Sequence, residues 1–382
     1  MASSFDPTAV NLETADPAQV ICFLQASADD YNGQLGARIS AVFVIFVVST
    51  GATYFPVASR RFRMLKMPEY VYLFARYFGA GVIVSTAFVH LVDPAYQEIG
   101  PQSCVGMTGG WASYSWPPAI ILSSVVGIFL LDFWASRYVE QKYGRSHAEM
   151  DTEILLTEGG GRMEGLEQQA HIHMHGDDDD VCVASDSSAN RKSLANIKSN
   201  QEETTVTDVE AVKDDINSYL FKEQMAAFLI LEFGIIFHSI FIGLNLGVAG
   251  ASFSTLYPVL VFHQAFEGLG IGARMSAIPF PTKYRYGPEL LSLAYGITTP
   301  ISIAVGIGAR GSYSSSSFTT NIVSGIFDSI SAGILIYSGL VELVARDFLF
   351  DPHRTKSSKK LTFMVISLLT GAGIMSLIGK WA

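Results

Sequence analysis

The chain has 382 residues, of which 49% are hydrophobic and only 16% are charged, and its mean hydropathy is +0.32. Soluble domains usually carry about 25% charged residues, so this composition excludes a disordered protein, a nucleic-acid binder and a disulfide-rich secreted module. The net charge of −10 is concentrated in one stretch, because residues 139–222 contain 18 acidic and 8 basic side chains. The composition predicts an integral membrane protein with one long acidic loop.

Long apolar runs give the number of membrane spans. A helix needs about 20 apolar residues to cross the hydrocarbon core of a bilayer, and a helix satisfies its own backbone hydrogen bonds in lipid. Eight segments qualify, at about 38–58, 71–92, 117–137, 224–249, 253–274, 288–308, 319–345 and 361–380. We predict an all-α integral membrane protein with eight transmembrane helices, called spans one to eight. The predicted organisation is an N-terminal segment 1–37, spans one to three in 38–138, a loop 139–223, and spans four to eight in 224–382.

The short connections predict the orientation, because Lys and Arg stay on the cytoplasmic side. The connections after spans one, five and seven are rich in basic residues, whereas 93–116 and 250–252 contain none and 309–318 contains Arg310 alone. We therefore predict that both termini are extracellular and that the loop 139–223 is cytoplasmic. Its Gly, Ser, Asp and Glu content is typical of disorder.

Three ionisable side chains lie near the middle of adjacent spans, where such groups are costly and usually functional. His238 lies about halfway along span four, and span five contains His263 and Glu267, four residues apart on one helical stripe. Two imidazoles and a carboxylate at similar depth suit a borderline divalent metal such as zinc. One intramembrane histidine alone is more often a satisfied structural residue, but three such groups together favour a metal site.

Four further polar side chains are candidates for roles beside these ligands. Asn245 is two helical turns from His238 and shares its face, so it is a candidate neighbour of the ligands. Glu232 is either a gating or supporting group or an interhelical hydrogen-bonding residue. His90 and Asp93, three residues apart at the outer end of span two, either form an outer metal-access pair or mark a helix end that meets water.

The predicted cytoplasmic loop contains a short histidine tract. His171, His173 and His175 alternate along the chain and are followed by four aspartates. In an extended segment the three imidazoles point to the same side, and such tracts favour weak metal binding. We expect this segment to contact metal on the cytoplasmic side, although a charge run alone would be a solvated linker.

The predicted topology also separates the three cysteines. Cys22 and Cys104 lie on the oxidising outer side, whereas Cys182 lies in the reducing cytosol. We predict a disulfide between Cys22 and Cys104. Two free thiols are the alternative, since the sequence gives no Cα separation.

The sequence resembles the ZIP (Zrt/Irt-like) family of divalent metal transporters over residues 20–382, and within it the fungal plasma-membrane zinc transporters. The resemblance is carried by His238-Ser239 with Gly243, His263-Gln264 with Glu267-Gly268, Thr298-Thr299-Pro300, and Gly339-Leu340-Val341-Glu342-Leu343. It implies that His238, His263 and Glu267 are the central transport ligands, with Ser239 and Gln264 beside them. It also implies a multi-pass plasma-membrane protein, an elevator-like or alternating movement, and a homodimer.

Two departures from the family pattern limit the number of metal positions. Where some relatives have a second, adjacent position, the matching residues here supply no carboxylate; they are Ser239, Ile242, Gln264 and Thr299. We therefore expect one dominant metal position. Arg346 and Asp347 stand where other members can carry His-Glu, which argues against a metal site at the inner end of span seven.

The leading interpretation is a zinc uptake transporter that needs no cofactor, with zinc as its substrate. An intramembrane zinc hydrolase is the alternative from another class, because two histidines and a glutamate also form catalytic zinc sites. No His-Glu-x-x-His sequence supports the hydrolase, however, and no Gly-Lys nucleotide motif supports ATP hydrolysis. Iron or manganese in place of zinc stays open, because the same ligands accept several divalent ions.

Overall fold

The computed structural model describes residues 15–27, 31–62, 68–143, 195–311, 316–350, 355 and 357–381, and within them all regular structure is helical. The long helices are α1 (Pro17–Ser27), α2 (Leu35–Arg61), α3 (Glu69–Ile99), α4 (Trp116–Tyr143), α5 (Ala195–Val248), α6 (Phe253–Ala277), α7 (Gly287–Ala309), α8 (Phe318–Phe350) and α9 (Ser358–Ile378). Short 3₁₀ helices occupy Gly109–Ser113, Thr282–Tyr284 and Gly379–Trp381.

Each predicted span overlaps one of the helices α2–α9. In the described part of the chain, seven helices are long and apolar enough to cross a membrane. The helix α6 is not among the seven, although its 25 residues reach about 37 Å. Its polar residues His263, Gln264 and Glu267 lower its hydropathy. The helical membrane fold is therefore confirmed, whereas the eighth span and the orientation remain predictions.

The predicted loop 139–223 needs correction at its C-terminal end, because α5 already begins at Ala195. Residues 144–194, with the histidine tract and Cys182, lie outside the described residues. The contacts within the chain divide it into two compact units. The first unit consists of residues 1–132 and 224–382, and the second of residues 133–223.

The helix α3 is longer than span two and contains a wide turn. Its conformation changes from α to π over Thr86–Val92 and returns to α over Asp93–Ile99. Pro94 lies two residues after the end of this turn. Proline removes a backbone donor and clashes with the preceding turn of an α-helix, and a wider turn relieves both effects. The predicted end of span two at residue 92 is therefore wrong, and the helix extends for another two turns.

Within the first unit, α6 lies at the centre of the packing. It contacts α2 and α3, α2 also packs against α7, and α3 also packs against α9. A Cβ atom at Gly272 would lie 2.1 Å from the carbonyl oxygen of Thr53, so α2 and α6 touch through their backbones.

The predicted disulfide is confirmed: Cys22 and Cys104 are bonded, with their Cα atoms 4.5 Å apart.

Candidate metal centre

Three imidazoles and one carboxylate meet in the interior of the first unit. The ring centroids of His238 and His263 are 5.6 Å apart, and those of His90 and His263 are 4.9 Å apart. The Oε2 atom of Glu267 lies 3.6 Å from Nε2 of His263. All four side chains are buried. The structure thus brings together the three predicted ligands and adds His90, which the sequence placed near the outer surface.

The helix connections explain why His238 and His263 lie at one depth. The helices α5 and α6 are joined by residues 249–252, and each histidine is eleven residues from an end of that connection. At 1.5 Å per residue, both therefore lie about 16 Å along their helices from the turn. His90 reaches the same region from the π turn of α3, a kind of turn that is frequent at functional sites.

Tyr295 on α7 holds the carboxylate in place, and sequence reasoning missed it. Its hydroxyl lies 3.0 Å from Oε1 of Gln264 and 3.2 Å from Oε2 of Glu267, and its single proton is shared between these two acceptors. The other carboxylate oxygen, Oε1 of Glu267, has no hydrogen-bond partner. The available signal was the position of Tyr295 in predicted span six, one helical turn before Thr298.

A cavity of about 210 Å³ begins at the three histidines. It continues past Asn245 near the C-terminal end of α5, Glu98 near the C-terminal end of α3, and Leu256 in the first turn of α6. Asp328 of α8 also lines it. Glu98 lay beyond the predicted end of span two. Asp328 was overlooked although it is an ionisable residue within predicted span seven.

Many buried polar atoms around this centre have no hydrogen-bond partner, although buried polar groups usually do. They are His238 Nε2, His263 Nε2, Glu267 Oε1, Ser239 Oγ, Gln264 Nε2, Glu232 Oε2, Thr299 Oγ1, Asp328 Oδ1 and Glu98 Oε2. An unsatisfied buried group costs about 1–3 kcal/mol, so such a cluster indicates a ligand. Among the residues that the structure describes, no three His, Cys, Asp or Glu side chains form a closed set of metal ligands. Of the residues that carry these atoms, His238, His263, Asp328 and Glu98 line the cavity.

The remaining predicted site residues lie apart from the centre or at its edge. Asp93 is exposed and accepts a hydrogen bond from Gln97 at 2.8 Å, so it faces away from the buried His90 and the two do not form a pair. Glu232 is buried in α5 and, like Glu267, is not among the residues that line the cavity, but Glu267 contacts the lining residue His263. Asn245 does line it, on the same side as His238.

Comparison with known proteins identifies the family. The family profile described as ZIP Zinc transporter matches residues 35–379. The chain is 51% identical to Zinc-regulated transporter 1 of Saccharomyces cerevisiae, over 99% of this chain and 97% of the relative. It is 37% identical to Zinc-regulated transporter 1 of Schizosaccharomyces pombe, over 96% and 90%, and 34% identical to Zinc-regulated transporter 2 of Saccharomyces cerevisiae, over 98% and 100%. No solved structure matches the chain significantly. These similarities rule out the hydrolase alternative: the chain belongs to the ZIP family of zinc transporters and is a transporter, not an enzyme.

Proposed function

We propose that the chain takes up zinc across the plasma membrane into the cytosol, and that His238, His263 and Glu267 bind the ion at the base of the cavity. The observation that carries this proposal is the set of buried, unpartnered donor atoms on these three side chains. His90 of α3 lies beside His263, and because its Nε2 is 3.3 Å from the carbonyl oxygen of Met375, Nδ1 is the nitrogen it would offer as a fourth donor. Ser239 and Gln264 lie beside the ligands in sequence. Imidazole and carboxylate ligands without thiolate suit an open site from which zinc can leave again.

The position of the cavity supports the direction of transport. Glu98 and Leu256 lie beside the connections 100–115 and 249–252, which contain no Lys or Arg. By the positive-inside rule these connections face the outside. On the opposite side two ion pairs link α8 to its neighbours, Arg274 to Glu342 at 2.6 Å and Arg76 to Asp347 at 2.8 Å. The cavity therefore admits an ion from the side that lacks basic residues.

The complete topology belongs to the same proposal. The helix α6 serves as the eighth span, both termini are extracellular, and the chain forms the homodimer that the family resemblance implies. The burial of His263, Gln264 and Glu267 supports a membrane position for α6, because α2, α3 and α7 shield these side chains from lipid. The histidine tract His171, His173 and His175 is proposed to contact metal in the cytoplasm.

The proposal is tested by short-time influx of radiolabelled zinc into cells, with surface protein measured in parallel. His238→Ala, His263→Ala and Glu267→Ala should each abolish uptake at normal surface expression. Asp93→Ala is the matched control, since this acidic residue of α3 faces outward, and its uptake should stay within about twofold of the parent. Near-normal uptake by any two of the three site variants would contradict the assignment.

The identity of the transported ion is tested in the same assay. Iron, manganese and cadmium are each added in excess over labelled zinc. We expect zinc itself to compete most strongly. Stronger competition by iron or manganese would move the proposed substrate to that metal, because the ligand set alone does not decide selectivity.

A further inference from the structure

Two acidic side chains line the cavity without a role in the proposed base site. Asp328 lies on α8 and is 5% exposed, and Glu98 lies in the last turn of α3. The two helices pack closely here, because a Cβ atom at Gly325 would lie 3.2 Å from Cβ of Glu98. Asp328 is one helical turn from Gly325. Both carboxyl groups therefore lie on one wall of the cavity.

Each of the two carboxyl groups has one oxygen atom that the protein leaves unpaired. Oε2 of Glu98 and Oδ1 of Asp328 are buried and have no hydrogen-bond partner. No Lys or Arg is among the described residues that line the cavity, so no side-chain cation there balances these groups. Buried carboxylates normally pair with a cation or coordinate a metal.

The pair also lies next to a predicted zinc ligand. Oδ1 of Asp328 is 3.9 Å from Nδ1 of His238, whose Nε2 is unpartnered. A separation of 3.9 Å is too long for a hydrogen bond. His238, a residue of the base site, thus lies close both to Asp328 and to His263.

We propose that Glu98 and Asp328 form a second cation position in the cavity, which takes a partly hydrated divalent metal ion before the ion reaches the base site. This inference rests on the proposed function and adds a step to it. Carboxylate oxygens are hard ligands that hold a divalent ion together with water molecules. Two carboxylates match the charge of such an ion. The neighbouring His238 then offers nitrogen as the ion loses water, so the ion passes between adjacent ligands.

Equilibrium binding of radiolabelled zinc to the purified full-length protein tests the proposal. Every protein in the series carries His171→Ala, His173→Ala and His175→Ala, so that the loop tract does not contribute ions. The parent of this series should bind two zinc ions per chain at saturation, and Glu98→Gln with Asp328→Asn should bind one. His263→Ala with Glu267→Ala should also bind one, and the combination of all four changes none. Glu69→Gln, an exposed acid at the far end of α3, is the control and should retain two.

The outcomes separate this inference from the proposed function. If the Glu98→Gln and Asp328→Asn protein binds as many ions as its parent, the second position does not exist and the base site is unaffected. If the His263→Ala and Glu267→Ala protein loses no ion, the base site is wrong instead. Asp328→Glu keeps the carboxylate and should retain two ions. Loss of an ion in this variant as well would show a packing defect and overturn the assignment.

Uptake kinetics give an independent readout. Loss of an outer capture position should raise the KM for zinc by about tenfold and leave kcat within about twofold, because the base site is intact. If Asp328 acted only by orienting the His238 ring, kcat would fall and the number of bound ions would not change. That result would refute a second cation position.

Discussion

Replacing Arg38 by Met should destabilise the end of α5, the helix that carries His238. Arg38 lies on α2 and is completely buried. Its guanidinium donates hydrogen bonds to three carbonyl oxygens at the C-terminal end of α5, those of Leu246, Gly247 and Ala249. A helix leaves its last carbonyls without intrahelical partners, and a cation is favourable there. Arg38 therefore caps α5 from a different helix.

The expected size of the effect follows from these contacts. Each buried carbonyl that loses its donor costs about 1–3 kcal/mol, and there are three of them. The guanidinium also lies 4.3 Å from the ring centroid of Phe253 and 4.6 Å from that of Tyr31, which adds about 1–2 kcal/mol. The relief from burying a charge offsets part of this loss. We expect a net destabilisation of about 3–5 kcal/mol, or roughly 4–6 °C in apparent Tm for a chain of this size.

The measurement is the fraction of purified full-length protein that stays monodisperse after heating in detergent. Arg310→Met is the matched control, because Arg310 is exposed at the end of α7 and donates to the carbonyl of Ile307 in its own helix. Its effect should stay within about 0.5 kcal/mol, as for most surface substitutions. A shift of Arg38→Met no larger than that of the control would refute the capping argument. Zinc uptake by Arg38→Met should fall together with its stability.

Two further predictions concern the packing. Cys22→Ser removes a disulfide with a sequence separation of 82 and should lower the free energy of unfolding by about 4 kcal/mol. Mass spectrometry of non-reduced peptides from the parent should show the linked pair, and free alkylatable thiols would contradict the structure. Gly270→Val should separate α3 from α6 and lower the yield of folded protein, because a Cβ atom at Gly270 would lie 2.7 Å from Cα of Gly79. Gly127→Val, where nothing lies within 4 Å, is the control, and equal yields would show that the close contact is not needed.

Hydropathy and ligand spacing were sufficient to predict most of the helices and the central donor set. The apolar runs are long, and lipid leaves the backbone no alternative to a helix. His238 and His263 could be placed at one depth because the connection between their spans is short. Glu267 follows from the four-residue spacing, since side chains at that separation share a helix face.

The parts that the sequence did not predict depend on contacts between distant segments. The π turn over Thr86–Val92 moves His90 inward, and hydropathy does not distinguish a π turn from an α turn. The side chain of Tyr295 acquires a role only because α7 places it beside Gln264 and Glu267. Glu98 and Asp328 are 230 residues apart and share a cavity wall only after α3 and α8 have packed. No local pattern signals that approach.

The helix α6 has a low hydropathy because it contains polar residues of the proposed metal site. His263, Gln264 and Glu267 would each be costly against lipid, yet they are no more than 1% exposed. The protein shields them by bringing α2 and α3 against α6 at glycines, where the backbones touch and no side chain intervenes. Because backbones yield less than side-chain tips, these contacts fix the ligand-bearing face of α6 relative to its neighbours. The features that make α6 the least apolar of the predicted spans therefore also account for its position at the centre of the packing.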